Sequence, residues 1–557
     1  MRTTVSMNPS SHRRLVIGAA AGAVALLATA SFGTLGGSAV AGTASQATSA
    51  AAPTALTSAA PKPTLPGGFR HLVVIYEENH SFDNLYGTWG KVRGESVDGL
   101  SHATPAQKTQ VAQDGTAFSC LPQDDVNLTS PPLSDTCQDP AHGISASHFG
   151  NAPFTVDQYI KPGDRTCPAE GTFAPNGVLK DSAGAEPGGC TRDLVHRFYQ
   201  EQYQIDDGLQ DRYTTGSDAV GLTQGHYATK RLPIYQYLHQ KGAPKYVLAD
   251  HFFQGAFGGS FLNHQYLIAA RAPVDTSDGA GGAKHTVVDS NGMPNNYAQY
   301  QATGPVTDGQ LTVECADPAV DDPAQPCGDY AVNTVQPAST PHGSGPSIPL
   351  IDDSQYPNIG DRLTEAGISW NWYSGGWDHA EAGHPGPLFQ FHHQPFNYFA
   401  NYAPGQPGRA RLQDERKFIA AANRGHLPTV SFVKPYGAEN EHPGYASEPN
   451  GSDHLVNLLQ AITTGPQAAK TLVVVTYDEF GGTWDHVAPP KVDAFGPGTR
   501  VPALLVSAGF KHNGLDHTTY DTTSILATLE HRFGLAPLST RDAAAHGLAP
   551  AVRAANR

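Results

Sequence analysis

Two clusters of oxygen-bearing side chains, 400 residues apart, close two otherwise apolar runs. In HLVVIYEENHSFDNLYG (71–87), the run gives way to Glu77, Glu78 and Asn79. In TLVVVTYDEFGGTWDHV (471–487), it gives way to Asp478 and Glu479. Carboxylate and amide oxygens are hard ligands, and a divalent cation needs several of them held rigidly. Taken singly, one carboxylate of each cluster reads equally as a cap on a following helix. As a matched pair the clusters read as the two halves of a metal site. A third stretch, YVLADHFFQGAFGGSFLNHQYLIAA (246–270), runs through a glycine-rich turn to Ser260 and then into a helical pattern. That puts Ser260 at a helix N-terminus, where backbone N–H groups and the helix dipole favour negative charge. The position suits a phosphate, or a serine alkoxide held on a metal; a plain N-cap serine is the alternative. The segment is not GxSxG and so is not a nucleophile elbow. Of 25 histidines, His196, His392, His393, His442 and His486 stand near other polar groups in sequence. Imidazole donates to phosphate oxygens, moves protons to leaving oxygens and binds metals, although any single histidine is more often structural.

Such groups need a platform. Five short apolar runs, 71–76, 246–252, 428–433, 471–477 and 501–507, read as buried parallel strands, β-branched and nearly continuous. Helical patterns lie between or beyond them at 411–423, 453–465 and 521–534, the last closed by Gly534. Strands alternating with helices predict a three-layer α/β/α fold with a mostly parallel, doubly wound sheet. In such sheets ligands bind beyond the carboxyl ends of the strands, where both acidic clusters fall. The Gly-, Pro- and Asp-rich stretches 101–190 and 270–350 read as long loop insertions, leaving one catalytic domain over 67–550.

The bulk composition narrows the partners. Thirty-five basic against 51 acidic residues give a net charge of −16. That excludes the basic face of a nucleic-acid binder and electrostatic docking on anionic membranes. An anionic substrate therefore requires a local reversal of field, which a metal ion supplies. Arg13 and Arg14 precede an apolar, Ala- and Gly-rich stretch, and Ala39-Val40-Ala41 offers a small-residue cleavage site. Residues 1–41 read as an export signal of twin-arginine type, with an ordinary secretory signal as the alternative, and 42–66 as a flexible leader. The mature chain is expected outside the cell, with no membrane anchor. Six cysteines suit that compartment and pair by proximity as Cys120/Cys137, Cys167/Cys190 and Cys315/Cys327.

EENHSFDNLYG resembles the ENRSFD motif of the bacterial phosphoesterase family that holds non-specific phospholipases C and AcpA-type acid phosphatases. AFGGSFLNHQ looks like the acid-phosphatase form of that family's nucleophile motif. FQFHHQPFNYF, NEHPG, YDEFGGTWDHVAPP and the stretch from VPALLVS to FGLAPL are also similar, so the resemblance spans roughly 70–545. It implies an alkaline-phosphatase-like fold and phosphoryl transfer assisted by one divalent metal ion: Ca, Mg, Mn, Fe or Zn. Carried over position by position, Ser260 is the nucleophile that forms a phospho-serine intermediate. Glu78, Asn79, Asp478 and Glu479 surround the metal, with Ser260 as a further ligand. His196, His392, His393 and His442 contact phosphoryl oxygens or act as acid and base. Asn79 and Asn263 help to hold the substrate phosphate. Where family members commonly carry Asn-Gly after the DLVH histidine, this chain has Asp206-Asp207-Gly208, which puts a phosphate contact there in doubt. Serine in place of threonine at the nucleophile leans the expectation towards an acid phosphatase. The alternatives are a phospholipase C acting on phosphodiesters such as phosphatidylcholine, with aromatic residues of 370–402 lining a headgroup pocket, and a binding protein that has lost catalysis.

Overall fold

The β-branched run His71–Glu77 (β1) forms the centre of an eight-stranded sheet. The computed structural model describes residues 65–557 except 124–127, 170, 173, 175, 274–296, 302–333 and 345–346. The other strands are Lys245–Ala249 (β2), Trp370–Ser374 (β3), Leu412–Asp414 (β4), Val430–Lys434 (β5), Thr471–Tyr477 (β6), Ala503–Ser507 (β7) and Gly514–Asp516 (β8). Their order across the sheet is β4-β3-β5-β1-β6-β7-β2-β8. Leu72 to Tyr76 and Leu472 to Val475 are buried on both faces. This is why those segments read as continuous apolar runs, each such side chain contributing roughly 1.5–3 kcal/mol by burial.

All five expected strands form, but β7 is not parallel. It runs antiparallel to both β6 and β2. The reason is the connection: residues 478–502 contain no helix, so the chain cannot cross back over the sheet and must return from the edge it left. The helix expected from 411 starts at Glu415, because Leu412–Asp414 pairs with β3 and the Asp414 side chain caps the helix through Arg416 N–H. The other expected helices form as Glu448–Thr464, capped by Ser447, and Thr523–Phe533, whose C-cap is Gly534 in the left-handed conformation.

Helices cover both faces of the sheet, giving three layers. The aromatic block at 370–402 belongs to this packing: Trp370, Trp372, Trp377, Phe396 and Phe399 are at most 1% exposed. They are core, not a headgroup pocket. In the 101–190 insertion the described residues form short two-stranded ribbons, stapled by Cys120–Cys137 and Cys167–Cys190, with Cα separations of 6.0 and 4.7 Å. The third expected pair, Cys315/Cys327, the export signal at 1–41 and all but the last residues of the leader lie outside the described residues. Among those described, no helix is long and apolar enough to cross a membrane.

Candidate active site

Register brings the two acidic clusters together. β1 pairs with β6 in parallel from His71↔Thr471 to Glu77↔Tyr477, so Glu78 and Asp478 leave the sheet side by side. Asp478 N–H donates to the Glu77 carbonyl at 3.1 Å, and Asn79 N–H to Asp478 Oδ1 at 3.3 Å. Asn79 takes a left-handed backbone (φ 62°), a bend that asparagine tolerates better than most residues. Gly481 fits against this bend with φ 59°; a Cβ there would lie 2.3 Å from the Asn79 carbonyl oxygen.

Ser260 is the first residue of the helix Ser260–Ala269, with Gly259 as N-cap. Its hydroxyl donates to Glu78 Oε2 at 3.2 Å. The turn before it is held from below. Glu201, on the helix Phe198–Ile205, accepts from Gly258 N–H at 2.6 Å, Gln254 Nε2 at 2.9 Å and Thr499 N–H at 2.7 Å. Asn263 accepts from Ala256 N–H at 2.9 Å and donates to the Gly258 and Gly259 carbonyls at 3.2 and 3.3 Å. Its amide is thus spent on the turn that carries Ser260 and does not reach into the cleft.

The histidines form a ring. Asn79 Nδ2 donates to His442 Nε2 at 3.0 Å and His196 Nε2 at 3.4 Å. Both rings give their Nδ1–H to main-chain carbonyls, Pro443 and Leu194. His393 Nε2 lies 3.0 Å from Glu78 Oε1, and His392 packs edge-on to His393. Ser260, His196, His392 and His442 line a cleft of about 500 Å³ together with Asp193, Arg197, Asp218, Tyr297 and Tyr445. Asp206 and Asp207 line a different cavity, near Arg212 and Lys491, so the departure from Asn-Gly leaves this cleft untouched.

Two buried groups went unread in the sequence. His264 gives Nδ1–H to the Ser260 carbonyl at 2.7 Å and stacks on His393 at 5.1 Å, 4° from parallel. Its signal was its spacing, four residues after Ser260 on one helix. Lys434, fully buried at the end of β5, pairs with Glu78 Oε1 and donates to the Tyr76 carbonyl at 2.9 Å. A lysine closing an apolar strand was its only signal.

The electrostatics are those of a crowded anionic site. Burial, then the Glu78 charge, pushes the Asp478 carboxyl well up; burial, then Asp478, does the same to Glu479. Burial also pushes Glu78 up, but His393 and Lys434 outweigh it and hold that carboxyl well below its usual range. Burial lowers His196 and His393, and draws His442 down to about 3. Asn79 Oδ1, Asp478 Oδ2 and Glu479 Oε1 are buried without a hydrogen-bond donor. Glu479 Oε1 instead faces His196 Nε2, a lone pair, at 3.3 Å. Buried oxygens left this way cost about 1–3 kcal/mol each or more, and a hard divalent cation is the group that the donor set fits.

An α/β/α fold with a serine at a helix N-terminus amid buried carboxylates and histidines describes a hydrolase of phosphoric esters. The chain belongs to the phosphoesterase family, which residues 69–536 match. It is similar to phospholipase C B of Mycobacterium tuberculosis, 24% identical over 505 residues that cover 84% of this chain and 73% of that protein. A non-hemolytic phospholipase C of Burkholderia pseudomallei is 28% identical over 226 residues, 32% of each chain. Among solved structures, a putative sulfatase from Bacteroides thetaiotaomicron aligns with 14% identity over 60% of this chain and 72% of that one, at a TM-score of 0.28, too low to carry argument.

Proposed function

We propose that this chain is an exported, metal-dependent phosphomonoesterase that works through a phospho-serine at Ser260. The observation that carries the reading is the Ser260 hydroxyl, at a helix N-terminus, 3.2 Å from a Glu78 carboxylate that His393 and Lys434 keep ionised. Glu78, Asn79, Asp478, Glu479 and Ser260 would hold one divalent ion, which when bound acidifies the serine hydroxyl and offsets charge on the phosphoryl group. Ser260 Oγ forms a bond to phosphorus as the ester P–O bond breaks. The hydroxyl hydrogen passes to the Glu78 carboxylate at which it is directed. The departing oxygen takes a proton from water in the cleft, the neutral His196 and His442 brace Asn79 through their Nε2 lone pairs, and His392 and His393 face the phosphoryl oxygens. Water then cleaves the Oγ–P bond and restores the serine. Asn263 acts by fixing the turn.

Preference for a soluble monoester is supported by the polar cleft lining and by the aromatic block lying in the core. The names of the relatives favour a second reading, a phospholipase C with the same residues in the same roles. Initial rates on p-nitrophenyl phosphate and on p-nitrophenylphosphorylcholine, with chelator and after metal is restored, separate them. Chelator-sensitive release from the monoester is expected. Faster release from the choline diester would move the chain to the second reading, and activity surviving verified metal removal would remove the metal–serine mechanism. Asp478→Asn should lower the metal content of the purified protein, as read by elemental analysis.

A further inference from the structure

β2 and β8 are adjacent parallel strands, in register from Val247↔Gly514 to Ala249↔Asp516. Each ends in groups that bind metals, Asp250-His251 after β2 and His517 after β8. The pairing therefore sets Asp250 beside His517 at the sheet edge that also bears the cleft, but on the far side of β7. One ligand atom from each of Asp250, His251 and His517 lies within 4.8 Å of the others. Each imidazole has a carboxylate on Nε2. Asp98 Oδ2 is 3.0 Å from His251 Nε2, and Glu95 Oε1 is 3.3 Å from His517 Nε2. A carboxylate there fixes the Nε2–H tautomer and leaves Nδ1 as the lone pair, the outer-shell arrangement of histidines that bind metals. His517 Nδ1 faces Asp250 Oδ1 at 2.8 Å, an acceptor opposite a carboxylate unless a cation or a proton is shared between them. The other Asp250 oxygen is tied to Asp98 N–H at 2.8 Å, which aims the carboxylate. Asp250 is fully buried, whereas the His251 and His517 side chains are 27% and 44% exposed, so the group is rigid on one side and reachable from solvent on the other.

We propose that Asp250, His251 and His517 form a second cation site, suited to a borderline divalent ion of the zinc type, with water completing its shell. Two imidazoles and one carboxylate match that ion better than calcium or magnesium, which prefer all-oxygen sets. The site pins the root of the segment that reaches Ser260 ten residues later. It does not rest on the reading of the cleft.

The test uses the full chain, stripped with chelator and reloaded with Zn(II) and, separately, Co(II). Bound equivalents are counted by elemental analysis, and the visible bands of Co(II) report imidazole ligation. His517→Ala and His251→Ala should each lose one equivalent and the matching Co(II) bands, while phosphatase activity at saturating cleft metal stays within about twofold. Asp478→Asn should keep this equivalent. His517→Gln, with circular dichroism as a check on folding, covers the case in which alanine disturbs the strand end. Unchanged equivalents and spectra in folded His517 variants would overturn the site.

Discussion

The cleft and the cluster around Arg500 are built from the same two loops and the same kinds of residue. The loop after β1 sends Glu78 and Asn79 to the cleft and Asp83 to the cluster. The loop after β6 sends Asp478 and Glu479 to the cleft and Asp485 and His486 to the cluster. In the cluster every charged group has a partner. Arg500, fully buried, donates to Asp485 Oδ1 at 3.0 Å, Asp83 Oδ1 at 3.3 Å and the Asp98 and Asp250 carbonyls at 2.7 and 2.8 Å. His486 bridges Asp83 and Asp98 through its two nitrogens. Beside the cleft, Asn79 Oδ1, Asp478 Oδ2 and Glu479 Oε1 have no donor. The same residue types are thus satisfied in one place and left open in the other.

Four experiments probe this contrast, from the largest effect to the smallest. Ser260→Ala should cut phosphate release by at least about 10⁴-fold, while unfolding free energy changes by no more than about 1 kcal/mol. Steady-state rates and urea melts read the two; near-normal turnover would take Ser260 out of the mechanism. Arg500→Leu should do the reverse in kind. It leaves Asp485 buried without its cation and Asp83 with His486 alone, and should cost about 3–5 kcal/mol of stability. A melt within about 1 kcal/mol of wild type would mean that the cluster is not what ties the loops together.

The third experiment is a pH series. Burial lowers the His486 pKa, but Asp83 and Asp98 prevail and raise it to about 9. A raised histidine stabilises the fold fully below its unfolded pKa, near 6.5, and loses that contribution as pH climbs through about 9. Stability should therefore fall by on the order of 3 kcal/mol between those values, and the fall should vanish in His486→Gln. An equal fall in the variant would assign it elsewhere. The smallest effect is expected from Glu201→Gln, which turns an amide N–H₂ towards backbone and hydroxyl donors under the Ser260 turn. A loss of about tenfold in kcat, about 1.4 kcal/mol, with KM little changed would mark Glu201 as positioning the nucleophile. Equal loss in both constants would point to general disorder of the turn.

Much of this was legible because the relevant signals are local. An apolar run closing in carboxylates says where a strand ends, and glycines before a serine say where a helix starts. Direction was not legible: β7 looks like its neighbours in composition, and only the helix-free return from Asp478 makes it antiparallel. β3 and β4 were missed because WNWYS is aromatic rather than β-branched and LQD is three residues long. Lys434 could not be tied to Glu78 from sequence, since 356 positions separate them and one sheet register joins them. The position of Asn263 in its motif points to the phosphate, and only the fold reveals that its amide is bonded to the turn.

The strand order also sets a timetable for synthesis. β1 is made first of the eight strands, and one of its two partners, β6, is among the last three. Until the ribosome has passed residue 477, one edge of β1 has no mate and its hydrogen-bonding groups are bare on that side. The same residues complete the acidic half-site, so the pairing that covers the exposed edge also brings Glu78 to Asp478. A nascent or truncated chain therefore has a bare strand edge and a divided acidic cluster together, and one pairing event ends both.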